Sequence, residues 1–110
     1  GDYQSASELA QRGLQLAREM NSNLEVARSL AVYAGAIAMT GQPERAALLL
    51  GAWEAAFEKL GAFPLPSEKQ EHDRSIAAVR AQLDEATFEA AWAKGRQMSL
   101  EQAVAEARNS

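Results

Sequence analysis

Residues 41–61 read GQPERAALLLGAWEAAFEKLG, and the fold class is decided there. Pro43 fits the first turn of a helix, where its missing amide leaves no hydrogen bond unmade. Ala46, Leu49, Leu50, Trp53, Phe57 and Leu60 then recur at helical spacing on one face. Leu48, Ala52 and Ala55 spread the apolar surface around the cylinder, as expected for a helix covered on two sides. Gly61 tolerates the left-handed backbone that ends a helix. The stretch is therefore expected to be the central helix of an all-α domain.

Upstream, Ser22 and Glu25 have the spacing of a reciprocal helix start. The helix they open carries Val26, Leu30, Tyr33, Ala34 and Ile37 as a stripe and is expected to stop near Gly41. Before it, Ala6, Leu9, Ala10, Gly13, Leu14 and Ala17 recur at steps of three and four, which predicts a first helix from about Tyr3 to Met20. Downstream, Ala62-Phe63-Pro64-Leu65-Pro66 must leave the helix, because each proline disfavours helical geometry in the residue before it. Ser67 with Gln70 has the spacing of a second capping box, and His72, Ile76, Val79 and Leu83 mark the inward face of a fourth helix. Asp84 is placed to cap a fifth helix that carries Phe88, Ala91 and Trp92 as far as Gly95, and Ser99 with Gln102 opens a sixth.

Composition supports the same class. The chain is 47% apolar but only 6% aromatic, and alanine makes up much of the apolar share, which suits closely packed helices. No alternating segment bounded by hairpin turns can be placed. With 110 residues one core is expected. A net charge of −4 denies the chain the electrostatic footing for phosphate-driven binding, so no direct nucleic-acid contact is expected. The stretch from Leu30 to Thr40 is too short to cross a bilayer, and no membrane partner is expected. There is no cysteine, which removes disulfides, thiolate metal sites and a cysteine nucleophile and is compatible with a cytoplasmic location. The opening Gly1-Asp2-Tyr3 lacks an initiator methionine, so the chain is read as part of a longer one.

The sequence also repeats itself. Gly1-Asp2-Tyr3-Gln4-Ser5-Ala6 lines up with Gly41-Gln42-Pro43-Glu44-Arg45-Ala46 at an offset of 40 residues. In both, a glycine that can make a tight turn precedes by five positions an alanine that allows close packing. This resembles the tetratricopeptide repeat, whose period is about 34 residues and whose second helix commonly begins with a Gly-Asp-Tyr-x-x-Ala pattern. Gly1, Asp2, Tyr3 and Ala6 match it; on that alignment Ala34 or Gly35 and Ala46 take the small positions. The segments Pro43 to Ala52 and Phe88 to Val104 further resemble the closing part of the stretched helical arrays in bacterial LuxR-type and AfsR-like regulators, which join an ATPase domain to a DNA-binding domain.

The resemblance implies one TPR-like domain over residues 1–110, with repeat hairpins over 1–61 and C-terminal capping helices over 67–110. Such hairpins stack into an α-α superhelix, a solenoid whose concave groove binds a partner protein or peptide. The groove-facing positions would be Arg28, Ala31, Gly35, Ala38 and Met39, Arg28 serving as a carboxylate clamp and Met39 as an adaptable apolar contact. Neighbouring ATPase and DNA-binding domains of a parent chain would be its further partners. Three roles stay open on this resemblance: a protein-interaction scaffold, a small-molecule sensing module, and a structural spacer in a free-standing adaptor.

No catalytic group, metal site or cofactor is expected. His72 is the single histidine; a metal site wants three or more ligands, and its place on an inward stripe assigns it to packing. Trp53 with Phe57, and Phe88 with Trp92, are each spaced by four, the spacing of a core stripe rather than of a ligand cage. No phosphate-binding Gly-x-x-x-x-Gly-Lys-Ser/Thr loop is present. A first helix without its hairpin partner would leave Leu9, Leu14 and Leu16 partly exposed, so self-association is expected.

Overall fold

Proline, glycine and short polar caps divide the chain into helices much as the local rules require. The computed structural model describes residues 5, 8–13, 15 and 22–108. Among them are five bounded helices: α1 (Asn23–Ala38), α2 (Pro43–Leu60), α3 (Pro66–Gln82), α4 (Glu85–Arg96) and α5 (Leu100–Arg108). Residues 5, 8–13 and 15 are also helical and fall within the expected first helix; the rest of that helix, including Leu14 and Leu16, lies outside the described residues. No strand occurs among the described residues, and no described helix is long and apolar enough to cross a membrane.

Ser22 Oγ accepts from the Glu25 amide at 3.3 Å and caps α1. α1 ends at Ala38, three residues before Gly41, whose φ of 84° turns the chain back toward α2. Pro43 is the first residue of α2, and Gly61, at φ 65°, closes it with the Ala62 amide donating to the Phe57 carbonyl at 2.9 Å. α3 departs from expectation. It starts at Pro66, with Leu65 as cap, and Glu68 Oε1 accepts from the Leu65 amide at 2.9 Å. A proline suits the first helical position better than the start offered by a Ser67 cap, so the cap moves from Ser67 to Leu65 and the helix begins two residues earlier. Asp84 Oδ1 takes the Thr87 amide at 2.7 Å, and Ser99 and Gln102 exchange hydrogen bonds at 2.8 and 3.1 Å, as the capping spacings predict.

Gly95 needs a correction. α4 does not stop there but continues to Arg96. Gly95 is buried against α2, where a Cβ would overlap the Leu48 carbonyl; Gly51 of α2 likewise faces the backbone of Trp92. Two glycines therefore let α2 and α4 meet backbone to backbone, and neither could carry a side chain without moving a helix axis.

α2 is the centre of the fold, with α1 on one side, α4 on another, and α3 and α5 against it. Three contacts fix how α3 lies on α1. Arg28 Nε reaches Glu68 Oε2 at 3.2 Å, a Cβ on Gly35 would lie 2.9 Å from Ser75 Oγ, and Gln82 Nε2 donates to the Ala38 carbonyl at 3.2 Å. Both sequences rise together, so α1 and α3 run parallel, with α2 returning between them. Leu30, Tyr33, Ile37, Leu49, Leu50 and Val79 are the largest fully buried side chains, and their cluster draws on all five helices. The radius of gyration is 12.6 Å, close to the value of about 13 Å for a globule of about 100 residues.

Arg45 ties the end of α5 to this centre. Its guanidinium donates to Tyr33 Oη at 3.3 Å, to the Ala107 carbonyl at 3.3 Å and to the Glu106 carbonyl, and it pairs with the Glu106 carboxylate at 3.5 Å. A cation on the terminal carbonyls of a helix satisfies groups that have no intrahelical partner. Gln11 Nε2 donates to the same Ala107 carbonyl at 3.0 Å. Arg45→Ala is expected to cost about 2 kcal/mol and to fray α5; hydrogen exchange at the α5 amides, compared with those of α2, checks it.

Candidate functional site

The five positions assigned to a groove do share the exposed-to-partner side of α1 in part, but the chain itself covers that side. Arg28 bridges Glu25 at 3.1 Å and Glu68 at 3.2 Å. Gly35 is closed over by Ser75 and Ala38 is bonded by Gln82, both from α3. Ala31 is buried with Trp53, Phe57 and Ala27. Only Met39, 49% exposed at the helix end, is open to solvent among the five. α3 thus occupies much of the face of α1 that the repeat alignment assigns to the concave groove.

A concave surface lies elsewhere, at the elbow where α2 passes through residues 61–65 into α3. Trp53 and Phe57 form its floor, Phe63 its outer lip, and His72 and Ile76 its far wall, around a recess of about 450 Å³. The floor is rigid because Trp53 and Phe57 pack at a centroid distance of 5.2 Å and Trp53 lies 4.1 Å from the His72 ring. The lip is not covered: Phe63 is 85% exposed, and Leu60 and Leu65 beside it are exposed as well. Two prolines hold this segment extended, which keeps Phe63 from folding back onto α2.

Trp53 Nε1 is buried and has no hydrogen-bond partner among the described residues. His72 is buried too, and desolvation holds its pKa below the ordinary imidazole value, while Glu68, Asp73 and Glu71 pull it up less strongly. No described group of three or more metal-ligating side chains gathers around it. Because its folded pKa lies below its unfolded one, the unfolded chain binds the proton first as pH falls, so His72 removes stability as pH drops below about 6.5. The expected result is a melting temperature that falls between pH 7.5 and pH 5 in the unsubstituted chain and falls less in His72→Gln. Asp84, whose pKa the Thr87 amide lowers, acts in a separate window, since its contribution is lost only as pH falls below the ordinary carboxylate range.

A second recess, of about 530 Å³, continues from the first between α3 and α4. Phe88 and Trp92, stacked at 5.5 Å, form one wall, and Arg80, held 4.6 Å over Phe88, forms the other. Arg96 of α4 donates to Glu54 and, at 2.6 Å, to Glu58, closing the base onto α2. These pairs tie α4 to α2 at the base of the recess.

No family model, curated protein or solved structure matches this chain. The site's own chemistry is apolar and aromatic, bordered by carboxylates.

Proposed function

We propose that this chain is a non-catalytic interaction module: a TPR-like helical array acting as a regulatory scaffold within a cytoplasmic bacterial signal-responsive transcriptional regulator of the LuxR or AfsR-like type. The observation that carries this reading is the arrangement of α1 and α3. They run parallel with α2 returning between them, and the small-residue face of α1 at Gly35 receives α3. That is how successive hairpins of a helical array stack, each hiding the apolar face of the one before it. The exposed aromatic elbow at Phe63 adds an apolar surface of the kind used in protein recognition.

In this role the module binds a protein or peptide noncovalently and passes the event to neighbouring ATPase and DNA-binding domains of the parent chain. The adjoining coding sequence tests the reading. A phosphate-binding-loop ATPase on one side or a helix-turn-helix domain on the other is the expected finding. Stop codons or unrelated domains on both sides overturn the regulator and leave a free-standing adaptor.

A further inference from the structure

The two recesses are one feature. Both are lined by Glu54 of α2 and Ile76 of α3, so the elbow cup and the cleft between α3 and α4 adjoin at these two residues. α3 borders the combined trough from Lys69 to Arg80, about 16 Å at about 1.5 Å per residue. α3 and α4 touch one another little; α4 packs extensively on α2, while α3 rests on α2 and α1 through smaller contacts. A three-layer arrangement of that kind leaves a groove with α2 as its floor and two helices as its banks.

Aromatic residues concentrate there. The chain has seven, and Trp53, Phe57, Phe63, Phe88 and Trp92 line the trough. Recognition surfaces are enriched in aromatics for a physical reason, since large rigid side chains bury much area at little entropic cost. The charge balance then selects the occupant. Every cation along the trough is already engaged: Lys69 by Asp73 at 3.2 Å, Arg80 by Glu85 at 2.8 Å, and Arg96 by both Glu54 and Glu58. Among the carboxylates on the same banks, Asp73 is balanced by Lys69 while Glu54 and Glu58 share the single charge of Arg96, so the negative excess sits at that trio and at Glu89. A second copy of the chain, with its own charge of −4, would add to that excess.

We propose that this trough is the docking site for a basic amphipathic helix of a partner protein, about three turns long. Its apolar face enters the aromatic floor at two points, one in the elbow under Phe63 and one between Ile76 and Trp92. Its lysines or arginines meet the carboxylates on the banks, which orients the helix and raises its association rate. The proposal rests on the interaction-module reading and adds to it the surface and the partner's chemistry.

The test uses the intact chain and a fluorescein-labelled peptide of about 15 residues, long enough for a helix to form on binding, with leucines on one helical face and lysines on the other. A counterpart carries glutamate in place of every lysine. Fluorescence anisotropy is expected to show binding on the order of micromolar for the lysine peptide and none for the glutamate peptide. Phe63→Ser and Ala93→Arg change exposed positions in the two recesses, so both proteins fold, which circular dichroism verifies. Each is expected to weaken binding about tenfold or more. Val32→Ser and Met39→Ser, on exposed positions of α1 away from the trough, are expected to leave it unchanged. Binding that survives Phe63→Ser and Ala93→Arg but fails in the α1 variants overturns the trough while retaining an interaction module. Absence of binding by the lysine peptide, or equal binding by the glutamate peptide, also overturns the trough, whereas the regulator reading stands or falls on the adjoining coding sequence.

Discussion

Gly95→Ala is expected to destabilise the chain by about 3 kcal/mol or more, a large share of the roughly 5–15 kcal/mol available to a domain of this size. The added methyl would overlap the Leu48 carbonyl and press on the Ala52 amide, both backbone groups of α2. A side chain could rotate away from such a contact, but a helix backbone can yield only by moving the whole axis, and Gly51 pins the same crossing from the other side against Trp92. The melting temperature should fall by at least about 10 °C, at roughly 4 °C per kcal/mol. Gly41→Ala provides the comparison. Its φ is 84° but nothing lies within 4 Å of its Cβ position, so only the left-handed backbone penalty of about 1–2 kcal/mol applies. Urea unfolding of the two variants checks the ranking, and a Gly95→Ala no more costly than Gly41→Ala would mean that α2 and α4 do not meet at this crossing.

Trp53→Ala is expected to cost about 3–5 kcal/mol, the range for deleting a large buried aromatic. It removes the contacts with Phe57 and His72 together, at centroid distances of 5.2 and 4.1 Å, and so loosens the joint between α2 and α3. Trp53→Phe should cost far less. It keeps most of the packing and also removes a buried donor that has no partner among the described residues, a group whose burial by itself costs about 1–3 kcal/mol. The same urea titrations distinguish these cases, and a Phe variant as damaged as the Ala variant would show that the indole N–H contributes favourably.

Much of the helical framework can be read locally. Pro43, Gly61, the Asp84 cap on Thr87 and the Ser99–Gln102 pair each follow from rules spanning a few residues, and the structure places them as those rules require. Leu49, Leu50, Trp53 and Phe57 are buried as the double-sided pattern of α2 implies. Gly95 could not be read that way. A glycine near a helix end fits a local stop signal, and its actual role depends on Leu48, distant in the chain, arriving beside it. The start of α3 lies two residues earlier than the Ser67 and Gln70 spacing implies, because Pro66 and Glu68 outcompete that pair.

The candidate site was less legible for the same reason. The repeat alignment put Arg28, Gly35 and Ala38 on a common side of α1, and the structure keeps them there, yet nothing in their spacing reveals that Glu68, Ser75 and Gln82 of α3 cover them. Trp53, Phe57, Phe88 and Trp92 read as two core stripes, and three of the four are buried. What periodicity cannot show is that Phe63 and Ile76 convert those stripes into the floor of a trough. The signal that could have pointed there is Phe63 itself, a large apolar residue held between prolines where no helix can bury it.

Trp53 and Trp92 are the only two tryptophans in the chain, one in each recess of the trough, so their indole N–H signals report on its two halves separately. Titrating the lysine and leucine peptide into ¹⁵N-labelled chain and following those two signals tests the docking account most directly. Movement of both with one common affinity is the predicted result; movement of neither, or of one alone at saturation, would contradict a single helix lying along the trough.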